Sequence, residues 1–179
     1  INAIQYGRWS GHPELPPADY FLTARLPQIK RSVYTFCMCP GGTVIGCSSE
    51  ERTIVTNGMS LYGRSGPYAN SAIVVAINCD DFADIPSHPL CGLAFRRKWE
   101  ERAFSLGGED YCAPAQGLLQ FVKDSDEAVV RGTSFSPGVK PALLREALPE
   151  FAVAALRQGI AEFDRKMRGF LTEDATLIG

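Results

Sequence analysis

The chain has 179 residues, 45% of them hydrophobic and 21% charged, with a formal charge of -2. A globular chain near this length buries roughly 70% of the surface its unfolded form exposes, so a single domain with a sizeable core is expected and disorder is excluded by composition. The near-balanced charge leaves no excess of cations to follow a phosphate backbone, and no nucleic-acid partner is expected.

The densest basic run, Arg96-Arg97-Lys98 with Arg102, is interrupted by Glu100 and Glu101 and reads as a solvated helix face. Apolar runs such as Ala72 to Ile77 fall far short of the ~20 residues that cross a bilayer. No segment joins a basic start to an apolar stretch and a small-residue cleavage site, so no membrane association is expected. The six cysteines include Cys47 and Cys79, whose neighbours look like strand interiors and not like a disulfide framework. They predict reduced thiols and a cytoplasmic setting.

Residues 1 to 20, punctuated by Gly7, Gly11, Pro13, Pro16 and Pro17, predict an irregular lead-in with a helical turn over Ile1 to Tyr6. Tyr20 to Leu26 is a first strand ended by Pro27, and Val33 to Met38, rich in β-branched and aromatic residues, is a second. Pro40-Gly41 matches a type II turn, with proline presetting the first central residue and glycine accepting the positive φ of the second. Thr43 to Cys47 is then expected to return as the hairpin partner. Arg52 to Thr56 predicts another short strand, followed by a turn at Asn57-Gly58. The stretch from Met59 to Ala69 is too broken for a regular element. Ser71 to Asn78 follows as the clearest strand. Ile73, Val75 and Ile77 fill one face while Ala72, Val74 and Ala76 leave the other apolar, so it is expected at the sheet centre, covered on both sides.

The period then changes. Phe95, Trp99, Ala103 and Leu106 form one stripe of a helix from about Pro89 to Leu106, ended by Gly107-Gly108, with Arg97 and Glu101 as an i,i+4 pair. A shorter helix is predicted over Pro114 to Val122. Asp124 to Gly138 is a connection that includes a short strand at Ala128 to Arg131, and a third helical region starts near Pro141. Pro149 opens the longest helix, to about Met167, with Ala152, Leu156, Ile160, Phe163 and Met167 as its buried stripe. Gly159 in its interior costs up to about 1 kcal/mol relative to Ala, which a close crossing usually compensates. Gly169 closes the helix. The fold class is therefore α+β, a mixed or mainly antiparallel sheet from the N-terminal half packed against helices from the C-terminal half.

Cys37 and Cys39 are i and i+2 in an extended segment, so both thiols are expected on one side. Metal ligation, a redox couple and simple packing are all open to such a pair. A structural zinc site needs a second close pair of ligands, which the scattered Cys47, Cys79, Cys91 and Cys112 do not provide, so no metal is expected. His88 and Cys91 are three apart but separated by Pro89 at an expected helix start, and His12 sits in the proline-rich lead-in, so no histidine-rich metal centre is expected. Asp80-Asp81 and Glu50-Glu51 are adjacent carboxylates suited to turns and caps. Neither GxGxxG after a strand nor GxxxxGK[ST] occurs. Asn57, Ser60, Arg64, Ser65 and Asn70, spaced by glycines, have a composition suited either to holding a polar ligand or to a turn-rich surface loop.

Several of these segments carry a resemblance. Cys37-Met38-Cys39-Pro40-Gly41-Gly42, Ser48-Ser49-Glu50, Thr56-Asn57-Gly58-Met59-Ser60 and Ala69-Asn70-Ser71-Ala72 resemble the middle region of the FAD-dependent, NAD(FAD)-utilising dehydrogenase family. So do Phe95 to Trp99, Tyr111-Cys112-Ala113-Pro114-Ala115-Gln116, Leu148-Pro149-Glu150-Phe151 and Ala175 to Gly179. The resemblance implies a domain inserted into a flavin-binding Rossmann-type domain of the same parent chain, whose fingerprint is not in this sequence. With the start at Ile1, residues 1–179 are expected to be an excised single domain: FAD belongs to the full-length parent, and none binds tightly to this chain. It implies a substrate-side or cap domain of an FAD-dependent oxidoreductase, inactive alone, acting on an unknown small-molecule substrate. Cys37 and Cys39 are its candidate catalytic residues. Pro40, Gly41, Gly42, Asn57, Gly58, Met59, Ser60, Arg64 and Asn70 would face substrate or cofactor. A non-catalytic substrate- or partner-binding module and a structural packing domain are the alternatives.

Overall fold

The computed structural model describes residues 2–18, 20–82 and 88–179. Helix α1 (Asn2–Tyr6) runs into a 3-10 turn at Gly7–Trp9. Strand β1 (Thr23–Leu26) is shorter than the apolar run that announces it. A 3-10 turn at Pro27–Ile29, closed by Lys30 at φ 51°, reverses the chain into β2 (Arg31–Cys39). β1 and β2 pair antiparallel from Thr23 opposite Tyr34 to Leu26 opposite Arg31. Then come β3 (Thr43–Gly46), β4 (Thr56–Met59) and β5 (Asn70–Val75).

The first sheet has the order β1-β2-β5, all antiparallel. Along β2, Val33 and Thr35 are buried while Tyr34 and Phe36 are exposed, the period-2 pattern of a sheet with one covered face. The cover is α4 (Glu150–Lys166), which Pro149 caps instead of occupying its first helical position. Leu22, Ala24, Leu26 and Val33 from the sheet and Ala155 and Phe163 from α4 form one core cluster. Gly159 lies directly over β2: a Cβ there would sit 2.6 Å from the Cβ of Val33, so the close crossing expected of this glycine is present.

The opposite flank of α4 builds a second cluster through Val153 and Ile160, packed on Leu118 and Phe121 of α3 (Leu118–Val122) and on Leu144 and Ala147. A third joins Ala103 and Phe104 of α2 (Cys91–Leu106) to Ile54, Ala113 and Phe135. Between them runs a mixed three-stranded sheet with the order β7-β6-β8. It comprises β6 (Ala113–Gly117), β7 (Val139–Pro141) parallel to it and β8 (Thr176–Ile178) antiparallel to it. The α+β class therefore holds, with the antiparallel sheet in the N-terminal half and the long helices after it.

Several local expectations are overturned. β3 pairs with β4, Thr43 opposite Met59 to Gly46 opposite Thr56, and not with β2, whose two edges are already taken by β1 and β5. Asn57-Gly58 is consequently inside a strand, and Arg52 to Val55 precedes that strand without being part of it. Among the described residues β5 is an edge strand of its sheet, not the centre, and it ends at Val75. Ala113 to Gly117 is a buried strand where a helix start was expected. Its small side chains let β7 and β8 close in on both sides, which overrides propensity. Val139–Pro141 is likewise a strand, with helical structure only in a 3-10 turn at Leu144–Glu146. Ala128 to Arg131 forms no strand, although Gly117 N–H donates to the Val129 carbonyl at 2.7 Å.

The polar clusters take the structural roles their spacing suggested. Asp81 accepts from Arg31, whose guanidinium also lies 4.3 Å from the Phe151 ring centre and donates to the Ala76 carbonyl at 2.8 Å. That bond holds the Asp81 carboxyl below its usual range and ties the turn after β5 to both β2 and α4. Glu50 lies 2.5 Å from Arg96 and 3.1 Å from Arg97, and Arg97 also pairs with Glu101 at 2.8 Å, so the basic run is largely neutralised. Among the described residues no helix is long and apolar enough to cross a membrane.

The crossing at Gly159 makes a quantitative demand. Gly159→Ala should gain up to about 1 kcal/mol of helix propensity but lose about 1–3 kcal/mol by overpacking against Val33. We expect a net loss of stability in urea denaturation; a variant as stable as the parent sequence or more so would show that the helix can lift off the sheet freely.

Candidate functional site

β2 continues past the part of the sheet that α4 covers, and its last three residues hold the site. The β2–β5 register runs regularly to Phe36 opposite Ala72, and the next matched pair is Cys39 opposite Asn70. Three steps on β2 therefore face two on β5, a bulge of one residue. Cys37 takes the strain, with φ 49° in the left-handed region that residues with a Cβ seldom occupy. The alternation resets there. Cys37 is exposed whereas Cys39 is only 8% exposed, with its Sγ 3.3 Å from the Cys37 carbonyl oxygen. The expectation that both thiols point the same way thus fails, because an i, i+2 rule presumes an unbroken strand.

The turn that follows keeps its expected chemistry, with Gly41 at φ 56° after Pro40. It also receives the broken loop of residues 57–70. Gly66 N–H donates to the Gly41 carbonyl at 3.1 Å, and the Ser60 hydroxyl donates to the Pro40 carbonyl at 3.0 Å. A Cβ on Gly41 would collide with the Arg64 carbonyl. One on Gly42 would meet the Met59 carbonyl, and one on Gly58 would strike the Asn70 side-chain oxygen and lie 3.5 Å from Cys39 Sγ. Cys39, Pro40, Gly41, Gly42, Gly58, Met59, Ser60, Arg64 and Asn70 are therefore brought together. Asn57 lies beside them on β4, opposite Ile45 with its side chain exposed.

Two electrostatic features mark the cluster. Burial pushes the Cys39 thiol up, the neighbouring Cys37 adds to the rise, and the Ser60 hydrogen bond and the Arg64 charge oppose it. Beneath the turn, the Asn70 side-chain nitrogen is buried without a hydrogen-bond partner among the described residues. Sequence reasoning missed Gly66 as part of the site. Its signal was the Gly63, Gly66, Pro67 punctuation, interpreted only as irregularity.

A Cβ on Gly41, Gly42, Gly58 or Gly66 would collide with this chain's own atoms, so these glycines let the turn and the loop pack closely. What faces outward is a rim of Cys37, Asn57, Met59, Ser60 and Arg64, all exposed. A concavity of about 600 Å³ lies elsewhere, lined by Lys98, Trp99, Arg102, Arg145, Asp124 and Arg157 among others. Its arginines are mostly committed. Arg145 and Arg157 lie 3.0 and 2.6 Å from Asp124, and Arg102 lies 3.4 Å from Glu146. Among the described residues no three metal-ligating side chains converge, and the cysteines are free thiols.

Comparison with known proteins places the whole chain. The family described as FAD-dependent protein, C-terminal domain-like, matches residues 1–179. A Clostridium beijerinckii protein named only as an uncharacterized protein is 45% identical over 181 residues, which is 100% of this chain and 34% of that protein. The chain thus spans about a third of the length of the curated relative it matches.

The contrast between the two thiols is measurable. Only the thiolate reacts, so at neutral pH an alkylating reagent should modify exposed Cys37 well ahead of Cys39, whose raised pKa and burial both hold it back. Peptide mass spectrometry over time should also show Cys39 labelling accelerating as the pH is raised towards its pKa. Equal rates for the two, or Cys39 first, would contradict the bulged geometry.

Proposed function

The chain belongs to the FAD-dependent protein family, in its C-terminal domain-like region, and from that premise we propose that it is the substrate-side or cap domain of a longer FAD-dependent oxidoreductase. The observation that carries this reading is the corner where the turn at residues 37–42 meets the loop at residues 57–70. It presents a polar and apolar rim, while its glycines allow close packing between the turn and the loop. In the proposed parent a Rossmann-type domain of the same polypeptide holds the cofactor, and this domain forms one wall of the reaction site. The threefold greater length of the Clostridium relative supports a parent with room for such a domain. Its placement as an insertion in the middle of the parent is part of the same proposal.

When bound, the flavin supplies the electron-accepting chemistry. The contribution of this chain is shape and polarity. Arg64 and Ser60 offer a cation and a hydroxyl, Asn57 an amide and Met59 an adaptable apolar surface, all exposed at the rim. The substrate is a small molecule that reaches the flavin from this side. Free cysteines support a reducing, cytoplasmic setting.

A second reading, a non-catalytic binding module, draws on one observation: Cys39 is buried with a raised pKa, which favours thiols that line the wall without exchanging electrons. One pair of measurements tests both. Absorbance titration of the 179-residue chain with FAD should give no tight stoichiometric complex, and such a complex would overturn the division of labour. In the full-length parent, C37S/C39S should retain its flavin and its rate of flavin reduction by NADH or NADPH. Loss of reduction with flavin retained would reassign the thiols to redox chemistry.

A further inference from the structure

The first sheet has one face on α4 and, among the described residues, one face bare. On the bare face the side chains form rows across the strands. Thr23, Tyr34 and Val74 are matched in register, as are Phe36 and Ala72. Pairing continues one residue before β1, because Thr35 N–H donates to the Leu22 carbonyl at 2.9 Å and Leu22 N–H to the Thr35 hydroxyl at 3.0 Å. Phe21 is therefore level with Phe36. Phe21 is 74% exposed and Phe36 58% exposed, and Tyr34 is also open. The row at the other end of the same face is Arg25 with Ser32. The apolar half is thus the half that adjoins the Cys37 bulge.

An antiparallel sheet open to water normally carries polar residues on that side. Contiguous exposed aromatics on a regular sheet mark an interface instead. β5 strengthens the point. Its sequence is apolar on both faces, the pattern of a covered central strand, yet it has a neighbour on only one side among the described residues. Among the described residues nothing shields Phe21, Tyr34 and Phe36 from solvent. The relative that contains this whole region devotes about two thirds of its length to other residues.

We propose that the bare face, centred on Phe21, Tyr34, Phe36, Ala72 and Val74, is a docking surface for the remainder of the same parent polypeptide. The partner surface is an apolar patch on the cofactor-holding domain. Docking there seats that domain against the edge of the cysteine turn and sets the approach of the rim to the flavin. The inference rests on the reading of the chain as one domain of a longer flavoprotein, and adds which face is turned towards the rest.

Hydroxyl-radical footprinting of the 179-residue chain and of the full-length parent reads side-chain exposure directly. Phe21, Tyr34 and Phe36 should be oxidised readily in the short chain and several-fold more slowly in the parent, while Leu93, exposed on α2, is modified equally in both. Phe36→Lys should leave the denaturation midpoint of the short chain unchanged and restore Tyr34 oxidation in the parent. Equal oxidation of the face in both proteins overturns the proposal, as does unchanged Tyr34 protection in the Phe36→Lys parent. So does protection that falls on dilution as a dimer dissociates in sedimentation, which would assign the face to a second copy. An open face in a parent that still needs the other domain to bind FAD refutes the docking surface alone. Tight FAD binding by the short chain with the face protected in the parent refutes the functional reading alone.

Discussion

The contact between Gly159 and Val33 is the constraint on which the remaining geometry depends. With no Cβ at 159, α4 approaches β2 more closely than any other residue permits, and Val33 is completely buried beneath it. That approach commits the inner face of the first sheet to the helix. The other flank of α4, through Val153 and Ile160, holds α3 and the turn carrying Leu144. One helix thereby joins the two halves of the fold. Arg31 adds a polar clamp at the start of β2, bonded to Asp81 and lying over Phe151 of α4.

Because α4 grips β2 near its beginning, the far end of the strand is shaped by different forces. There the chain inserts one residue, places Cys37 at a positive φ and enters the Pro40-Gly41 turn. Bulges of this kind re-aim side chains, and here the result is one exposed thiol and one buried thiol in place of a matched pair. The glycines serve self-packing: they let two backbone segments touch. In the proposed parent the surface built this way complements a cofactor held by another domain. The bare aromatic rows of the sheet start beside the same bulge, so the proposed contact with the cofactor-holding domain and the proposed wall of the reaction site are neighbours.

The legible parts of the sequence were those in which one local signal had no competitor. The stripe Ala152, Leu156, Ile160, Phe163 specified α4, and a glycine within it indicated a close crossing. Pro40-Gly41 specified its turn. The resemblance pointed to Cys37–Gly42 and Asn57–Asn70 together, and they do meet. The failures have physical causes. A bulge breaks the period-2 rule without any warning residue, so the two thiols were placed on one side. Asn57-Gly58 has the dipeptide of a turn, but Gly58 is required within a strand by the Asn70 side chain. Ala113 to Gly117 has helix-compatible composition and becomes a strand because neighbours close on it from both sides. β5 was placed at a sheet centre by its two apolar faces, a pattern that a proposed cover from the parent polypeptide would explain.

The account stands or falls on where the flavin ring lies relative to the cysteine turn. A crystal structure of the full-length parent with FAD bound would measure this directly. The account predicts rim atoms from Cys37, Ser60 or Arg64 within about 4–4.5 Å of the ring or of a molecule bound on it, with the pyrophosphate held entirely by the other domain. A ring facing away, with residues 37–42 and 57–70 remote from both it and its substrate, would contradict it.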